Sequence, residues 1–177
     1  MRFLENHDEP RAAATFVPDA RERACAIVIA TLPGMTLWHE GQADGRKVFL
    51  RRRPDDPADS DLSAFHHRLW VVAPLVRRGT WHRCEVTGWP DNPRAEALLA
   101  WTWRDGDDGM TLVVVNLSDG PADGVVHVDH APAAGRRWRL TDLLDGTYER
   151  DGDDLARNGL YVARPGWGAH VLSAAPA

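Results

Sequence analysis

The hydrophobic pattern of the first part of the chain predicts a strand–helix–strand unit. Two short apolar runs, 2–5 and 35–38, flank a nearly continuous apolar segment at 24–32. The short runs have the length of buried strands, and the longer segment has the length of a helix. Pro18, followed by acidic residues, is typical of a helix start, and the predicted helix stops at Pro33. Strands joined through a helix in this way are expected to be parallel.

A charged loop and a second helix are predicted next. The segment 43–59 is charged and contains two prolines and one glycine, which indicates a long loop. Asp59 or Ser60 can cap the helix that follows, and Pro74 is expected to end or kink it. Residues 81–93, rich in glycine, proline and asparagine, are expected to be a linker. The apolar residues of the predicted helix that begins near Ser60 share one face: Leu62, Phe65, Leu69 and Val72.

A different pattern begins at Ala95 and predicts an antiparallel β-sandwich. Short runs rich in β-branched and aromatic residues alternate with Asp-Gly dipeptides, whose glycine supplies the positive φ of a tight hairpin. We therefore expect two domains, α/β over 1–85 and all-β over 95–177. The predicted strands of the second domain are Ala97–Trp103, Met110–Leu117, Val125–Asp129, Arg137–Leu140, Gly159–Ala163 and Ala169–Ser173.

The polar cluster that follows the first apolar run carries a resemblance to a known family. The run Phe-x-Glu-Asn-His-Asp at 3–8 resembles the fourth conserved segment of the α-amylase family of glycoside hydrolases, at the end of strand seven of a (β/α)8 barrel. The resemblance implies that Asp8 stabilises the transition state and that His7 and Asn6 bind the substrate sugar. It also implies a partial (β/α)8 barrel, made of strands seven and eight with their helices, followed by the C-terminal β-sandwich of that family.

The same resemblance implies an incomplete active site. In the family, the nucleophile and the general acid lie upstream on strands four and five, and this sequence starts after them. The expected activity is that of a glycoside hydrolase or transglycosylase acting on α-glucans or α-glucosides, with the 177 residues inactive alone. Two alternatives remain open. One is a non-catalytic carbohydrate-binding or packing module, and the other is one chain of a split glycosidase whose partner chain supplies the missing barrel strands.

Glycosidase chemistry within the chain itself would require a second carboxylate beside Asp8. Glu5 is expected to point in the opposite direction, and Glu9 adjoins Asp8 in the loop. Glu40, which follows the neighbouring apolar run, is the partner that a strand-end arrangement would allow. In the α-amylase family, the segment around strand eight usually ends with Gly-x-Glu, whereas this sequence has Glu40-Gly41-Gln42. No catalytic role is therefore assigned to Glu40.

Composition narrows the remaining classes of function. The formal net charge is −5, with acids and bases interspersed, so neither a nucleic-acid nor a membrane partner is expected. Cys25 and Cys84 give no disulfide framework, and the eight histidines lack metal-ligand spacing, so no metal or other cofactor is expected. The N-terminal residues carry no apolar targeting segment, which favours a cytoplasmic location.

Trp101 and Trp103 alternate along one predicted strand and therefore share a face. They could form a flat platform on which a sugar ring stacks, or they could pack in the sandwich core or against the helical half. Packing is the favoured interpretation, because two aromatic residues alone make a weak binding pattern.

Overall fold

The computed structural model of the chain resolves two compact units, Met1–Pro74 and Leu75–Ala177. The boundary between the units follows Pro74 and therefore lies earlier in the chain than the expected domain boundary between 85 and 95. The reason is that two strands, Thr80–Arg83 and Glu85–Thr87, belong to the second unit. The residues described by the structure are 1–48, 58–106, 109–128, 137–144 and 147–176.

The first unit holds both predicted helices. The helices of this part of the chain are α1 (Ala12–Thr15), α2 (Asp19–Thr31) and α3 (Ser60–Val76). As predicted, α2 begins directly after Pro18 and ends before Pro33, with Asp19 and Glu22 in its first turn. The acidic side chains there complement the unpaired N–H groups of the helix start. α3 continues two residues past Pro74, so of the two predicted effects of this proline, an end or a kink, the end is excluded.

The two apolar runs that flank α2 pair in parallel at a single bridge, between Arg2 and Thr36. The Arg2 N–H donates to the Met35 carbonyl at 2.9 Å, and the Leu37 N–H donates to the Arg2 carbonyl at 2.8 Å. The predicted parallel orientation is confirmed at this bridge. Neither run forms a regular strand, and Phe3 and Met35 are exposed, so their predicted burial is wrong. A barrel needs strands paired on both edges, and the predicted partial (β/α)8 barrel is therefore not confirmed in the described residues.

The second unit is built from two antiparallel sheets. The strands are β1 (Thr80–Arg83), β2 (Glu85–Thr87), β3 (Leu98–Asp105), β4 (Gly109–Asn116), β5 (Ala122–His127), β6 (Arg137–Asp142), β7 (Thr147–Asp151), β8 (Leu160–Arg164) and β9 (Ala169–Pro176). One sheet has the order β1-β3-β4-β9-β6-β7, and the other has the order β2-β5-β8. A 3₁₀ helix, Pro93–Ala97, precedes β3, and helix α4, Gly152–Asn158, precedes β8.

Both sheets contribute to one hydrophobic core. Strand β5 alternates buried and half-buried residues, which is the pattern of a sheet with one covered face. The core residues contributed by the two sheets and by α4 include Leu112, Val126, Leu140, Leu155, Leu160 and Leu172. Strand β4 is buried at seven of its eight positions, and β3 at five of eight. Trp101 is fully buried and Trp103 is 9% exposed, so their predicted burial is confirmed and a Trp101–Trp103 sugar platform is wrong.

The structure corrects the predicted connections. The predicted linker 81–93 contains most of β1 and all of β2, because short polar strands leave no hydrophobic pattern. The hairpin predicted at Asp105-Gly106 is confirmed between β3 and β4, and Gly106 has a φ of 69°. Asp123-Gly124, by contrast, lies inside β5. Residues 49–57 of the predicted loop and the Asp145-Gly146 turn lie outside the described residues.

Candidate functional site

The predicted site residues lie together on an exposed turn. The Asn6 side chain shapes this turn, since its Oδ1 accepts the N–H of Asp8 at 2.7 Å and the N–H of Glu9 at 3.1 Å. Asparagine commonly closes a turn in this way, by bonding backbone groups that follow it. His7 Nε2 lies 3.3 Å from Asp8 Oδ2, and the two side chains are 84% and 78% exposed. The turn therefore presents an imidazole and a carboxylate side by side to solvent.

A buried ion pair joins the residues on either side of the turn. Arg11 Nη1 lies 3.1 Å from Glu5 Oε1, and both side chains are almost completely buried. The other Glu5 oxygen, Oε2, accepts the N–H of Ala12. Arg11 Nη1 also lies 3.0 Å from His39 Nδ1 and donates to the Glu40 carbonyl at 3.0 Å. The segment that carries Asp8 is thus tied to the segment after the second apolar run.

Burial raises the pKa of the Glu5 carboxyl above its ordinary value. The hydrogen bond from the Ala12 N–H, the charge of Arg11 and the contact with His39 oppose this shift but do not cancel it. A charged carboxylate loses its hydration when it is buried, and that loss outweighs the attraction of one cation here. Glu5 is therefore a structural carboxylate held inside the first unit, pointing away from the exposed Asp8 as expected from the sequence.

Glu40 does not join Asp8 in the described structure. The Asp8 side chain contacts His7, and Glu40 accepts a hydrogen bond from Arg11 through its main-chain carbonyl.

The histidines do not form a metal centre in the described part of the chain. No group of three His, Cys, Asp or Glu residues there is arranged to hold a metal ion. His66 is fully buried, with Nε2 3.3 Å from Glu22 Oε1, and packs edge-on against Trp38. It joins α2 to α3, which is a packing role. Among the described helices, none combines the length and the apolar character needed to cross a bilayer.

The Glu5–Arg11–His39 network was missed by the sequence interpretation. The charged residues are visible in the sequence, and Arg11 follows the His-Asp pair closely. The partner His39 lies 28 residues beyond Arg11, and no local spacing rule links residues so far apart. Only the packing of the two segments brings them together.

No protein-family model matches the chain, and a search of curated proteins found no match. Solved structures do match. A maltogenic α-amylase, AmyB, from Thermotoga neapolitana aligns over 98% of this chain and 40% of its own, with 18% identity and a TM-score of 0.74. The α-amylase of Geobacillus thermoleovorans aligns over 97% and 38%, with 17% identity and a TM-score of 0.70. An α-amylase from Lactobacillus plantarum aligns over 98% and 37%, with 20% identity and a TM-score of 0.67.

The chain has the fold of part of an α-amylase. The resemblance predicted from residues 3–8 is thereby confirmed at the level of the fold, although the identities are low. The sheet-rich part of the chain matches the C-terminal domain of these enzymes. The chain spans about 40% of the length of the Thermotoga enzyme.

Proposed function

We propose that the chain is the C-terminal part of an α-amylase-type glycoside hydrolase or transglycosylase that acts on α-glucans or α-glucosides. The observation that carries the proposal is the exposed His7–Asp8 pair, presented after an apolar run that pairs in parallel with the next one. The fold matches support it. They include the Geobacillus α-amylase complexed with acarbose and the AmyP E221Q variant in complex with maltotriose.

In this proposal Asp8 is the transition-state stabiliser. Glycoside cleavage passes through a state that resembles an oxocarbenium ion, and a fixed carboxylate near the anomeric carbon stabilises its positive charge. His7 would hydrogen-bond a sugar hydroxyl beside it. Asn6 Oδ1 is engaged by the Asp8 and Glu9 N–H groups, so Asn6 would contact the sugar through Nδ2. No metal or other cofactor takes part.

The nucleophile and the general acid are assigned to strands outside these residues. Residues 1–85 would form strands seven and eight of a (β/α)8 barrel with their helices, and 95–177 the β-sandwich that follows it. The parallel bridge between Arg2 and Thr36 on either side of α2 supports this assignment, as does the exposed Phe3, which further strands would cover.

A split enzyme is the variant of this proposal that can be tested with the chain as it is. A partner chain would supply the preceding barrel strands. Alone, the purified chain is expected to turn over neither starch nor an aryl α-glucoside. Mixing it with a chain that carries the preceding strands should restore turnover, which Asp8→Ala should reduce by about 10²- to 10³-fold, as for other electrostatic stabilisers. Glu9→Ala is the matched control, because Glu9 is an exposed acid in the same turn.

Two results would contradict the assignment. Equal turnover by mixtures containing the wild-type chain and Asp8→Ala would show that Asp8 does not stabilise the transition state. Turnover by the isolated chain that is lost in Asp8→Asn would show that the site is complete without a partner, and Glu40 would then be reconsidered as the second carboxylate.

A further inference from the structure

Two large aromatic side chains lie exposed beside each other on the second unit. Trp89 is 47% exposed and Tyr161 is 56% exposed. Their ring centroids are 6.1 Å apart, and the ring planes are inclined by 58°. Exposing two adjacent rings leaves apolar surface in water, so a neighbouring pair of this kind marks a binding surface more often than a lone exposed residue does.

The sheet β2-β5-β8 places the Tyr161 ring on its outer face, next to Trp89. Tyr161 on β8 pairs with Val125 on β5, and Val125 pairs with Thr87 on β2, so these three side chains share a face. Trp89 lies two residues past the end of β2, and its ring lies beside that of Tyr161. The alternate positions of the three strands point to the core: Val86, Val126, Leu160 and Val162.

The backbone that carries Trp89 is held in place. The Asn92 N–H donates to the Trp89 carbonyl at 2.8 Å and closes a turn. Asn92 Nδ2 donates to the Asp123 carbonyl at 3.1 Å, and Arg94 Nη2 lies 3.3 Å from Asp123 Oδ1. These bonds tie the turn to β5. The ring of Trp89 is therefore presented before any ligand arrives, which lowers the entropy cost of binding.

Polar groups surround the aromatic pair on the same face. Thr87 Oγ1 lies 2.8 Å from His127 Nε2, and Glu85 is the cross-strand neighbour of His127. Hydroxyl, imidazole and carboxylate groups can each bond the hydroxyls at the edge of a pyranose ring, while its C–H face packs on an aromatic ring. A stable protein partner would instead bury roughly 800 Å² of surface per side around an apolar centre, and two rings in a polar face do not supply it.

We propose that Trp89 and Tyr161 form a binding platform for an α-glucan chain, separate from the His7–Asp8 turn. The inclined rings suit successive glucose units of an α-linked chain, which curves, better than the flat ribbon of a β-linked chain. The platform itself rests on the aromatic pair and its polar surroundings. The choice of α-glucan as the ligand rests on the proposed function.

Affinity electrophoresis in gels containing glycogen, with titration calorimetry against maltoheptaose, tests the platform on the full chain. Trp89→Ala and Tyr161→Ala are each expected to weaken binding about tenfold or more, as for other aromatic anchors. Tyr161→Phe is the matched control, because it keeps the ring, and should bind within about twofold of wild type. Both side chains are exposed, so all variants should keep the wild-type circular dichroism spectrum and melting temperature.

Additional binding measurements distinguish the Trp89–Tyr161 platform from the proposed catalytic site. Glu9→Ala, which removes an exposed acid with no role in either site, should leave glycogen retardation unchanged, and cellohexaose should not bind. The platform is overturned if wild type is not retarded by glycogen, if Tyr161→Phe loses as much as Tyr161→Ala, or if Glu9→Ala alone abolishes binding. Equal binding of cellohexaose would overturn the α-glucan assignment. Failure of the turnover experiment described above would leave the platform result standing.

Discussion

Arg11 Nη1 lies 3.1 Å from Glu5 Oε1, so the residues that precede and follow the His7–Asp8 turn are joined to each other inside the first unit. The pair fixes the two ends of an exposed turn to a buried anchor. A carboxylate that is to stabilise developing charge must be held in place, because catalytic geometry tolerates little displacement. The anchor therefore connects the stability of the first unit with the proposed role of Asp8.

Removing the cation of this anchor should be costly. Arg11→Met leaves the Glu5 carboxylate buried without its ion-pair partner, which typically costs about 3–5 kcal/mol. The loss should appear in the unfolding of the first unit, measured by denaturant titration together with hydrogen exchange of the α2 amides. Asp44→Asn is the control, because it breaks the partly exposed Asp44–Arg46 pair and should cost no more than about 1 kcal/mol. Equal losses in both variants would contradict the structural role of Arg11.

The raised pKa of Glu5 predicts a pH dependence of stability. Because Glu5 is buried, its carboxyl keeps its proton to a higher pH in the folded first unit than in the unfolded chain. In the unfolded chain the pKa of a glutamate is about 4.3. The stability contributed by the protonated carboxyl is complete below that value and is lost as pH rises through the raised pKa of the folded state. Glu5→Gln removes the titration while keeping an oxygen acceptor for the Ala12 N–H.

The test compares the slopes of unfolding free energy against pH for the two proteins. The wild-type protein should lose stability relative to Glu5→Gln as pH rises above about 4.3. The constant offset caused by leaving Arg11 without a carboxylate does not affect this slope. A wild-type protein that gains stability relative to the variant over the same range would show that the pKa of Glu5 is lowered instead.

Asp59 should act as the cap of α3. Its Oδ1 accepts the backbone N–H groups of Asp61 and Leu62, both at 3.0 Å, and the bond from Leu62 is the main cause that lowers the Asp59 pKa. Asp59→Ala should cost about 1 kcal/mol of unfolding free energy. Asp59→Asn keeps an acceptor and should cost only a small part of that.

The cap has its own pH signature, opposite in sign to that of Glu5. Because the folded pKa of Asp59 lies below its unfolded value of about 3.9, the stabilisation is present above that value and is lost as pH falls through the lowered pKa. Urea unfolding of the wild type, Asp59→Ala and Asp59→Asn at neutral and acidic pH measures both effects. Identical stability of wild type and Asp59→Ala at neutral pH would refute the capping role.

Hydrogen exchange should separate the two units. Amides at Leu112–Val115 lie on β4, which is paired on both sides by β3 and β9, and their side chains are buried. Amides at Ala26–Ile29 lie on α2 in the first unit. In that unit the two apolar runs pair at a single bridge, and Phe3 is exposed. We expect slow exchange at Leu112–Val115 and faster exchange at Ala26–Ile29, because independent cooperative units open with different free energies. Equally strong protection of both, in a proven monomer, would contradict the partial-barrel proposal.

The elements with strong local signals were predictable from the sequence. α2 has a proline and acids at its start and Pro33-Gly34 at its end, and its predicted bounds agree with Asp19–Thr31 to within a residue or two. β4 is a run of β-branched residues and was found as well. These signals act over a few residues, so they do not depend on what the rest of the chain does.

Positions decided by packing were not predictable. The Asp-Gly pattern predicts a turn at Gly124, but this residue lies inside β5, where an added Cβ would come within 2.9 Å of the Thr87 carbonyl oxygen and 3.1 Å of Ala95 Cβ. The glycine there permits close approach of two segments, and the sequence shows the same Asp-Gly letters for both roles. The exposed Trp89 and the buried Trp101 likewise differ only in tertiary surroundings.

Strand β1 leaves the described six-stranded sheet with an open edge. An open edge is a template on which a strand of another molecule can add. β1 is four residues long, and His82 and Arg83 are exposed along it. Shortness and a charged side chain are the features by which natural sheets resist such addition. Sheet-to-sheet aggregation of concentrated protein is therefore not expected to start at this edge.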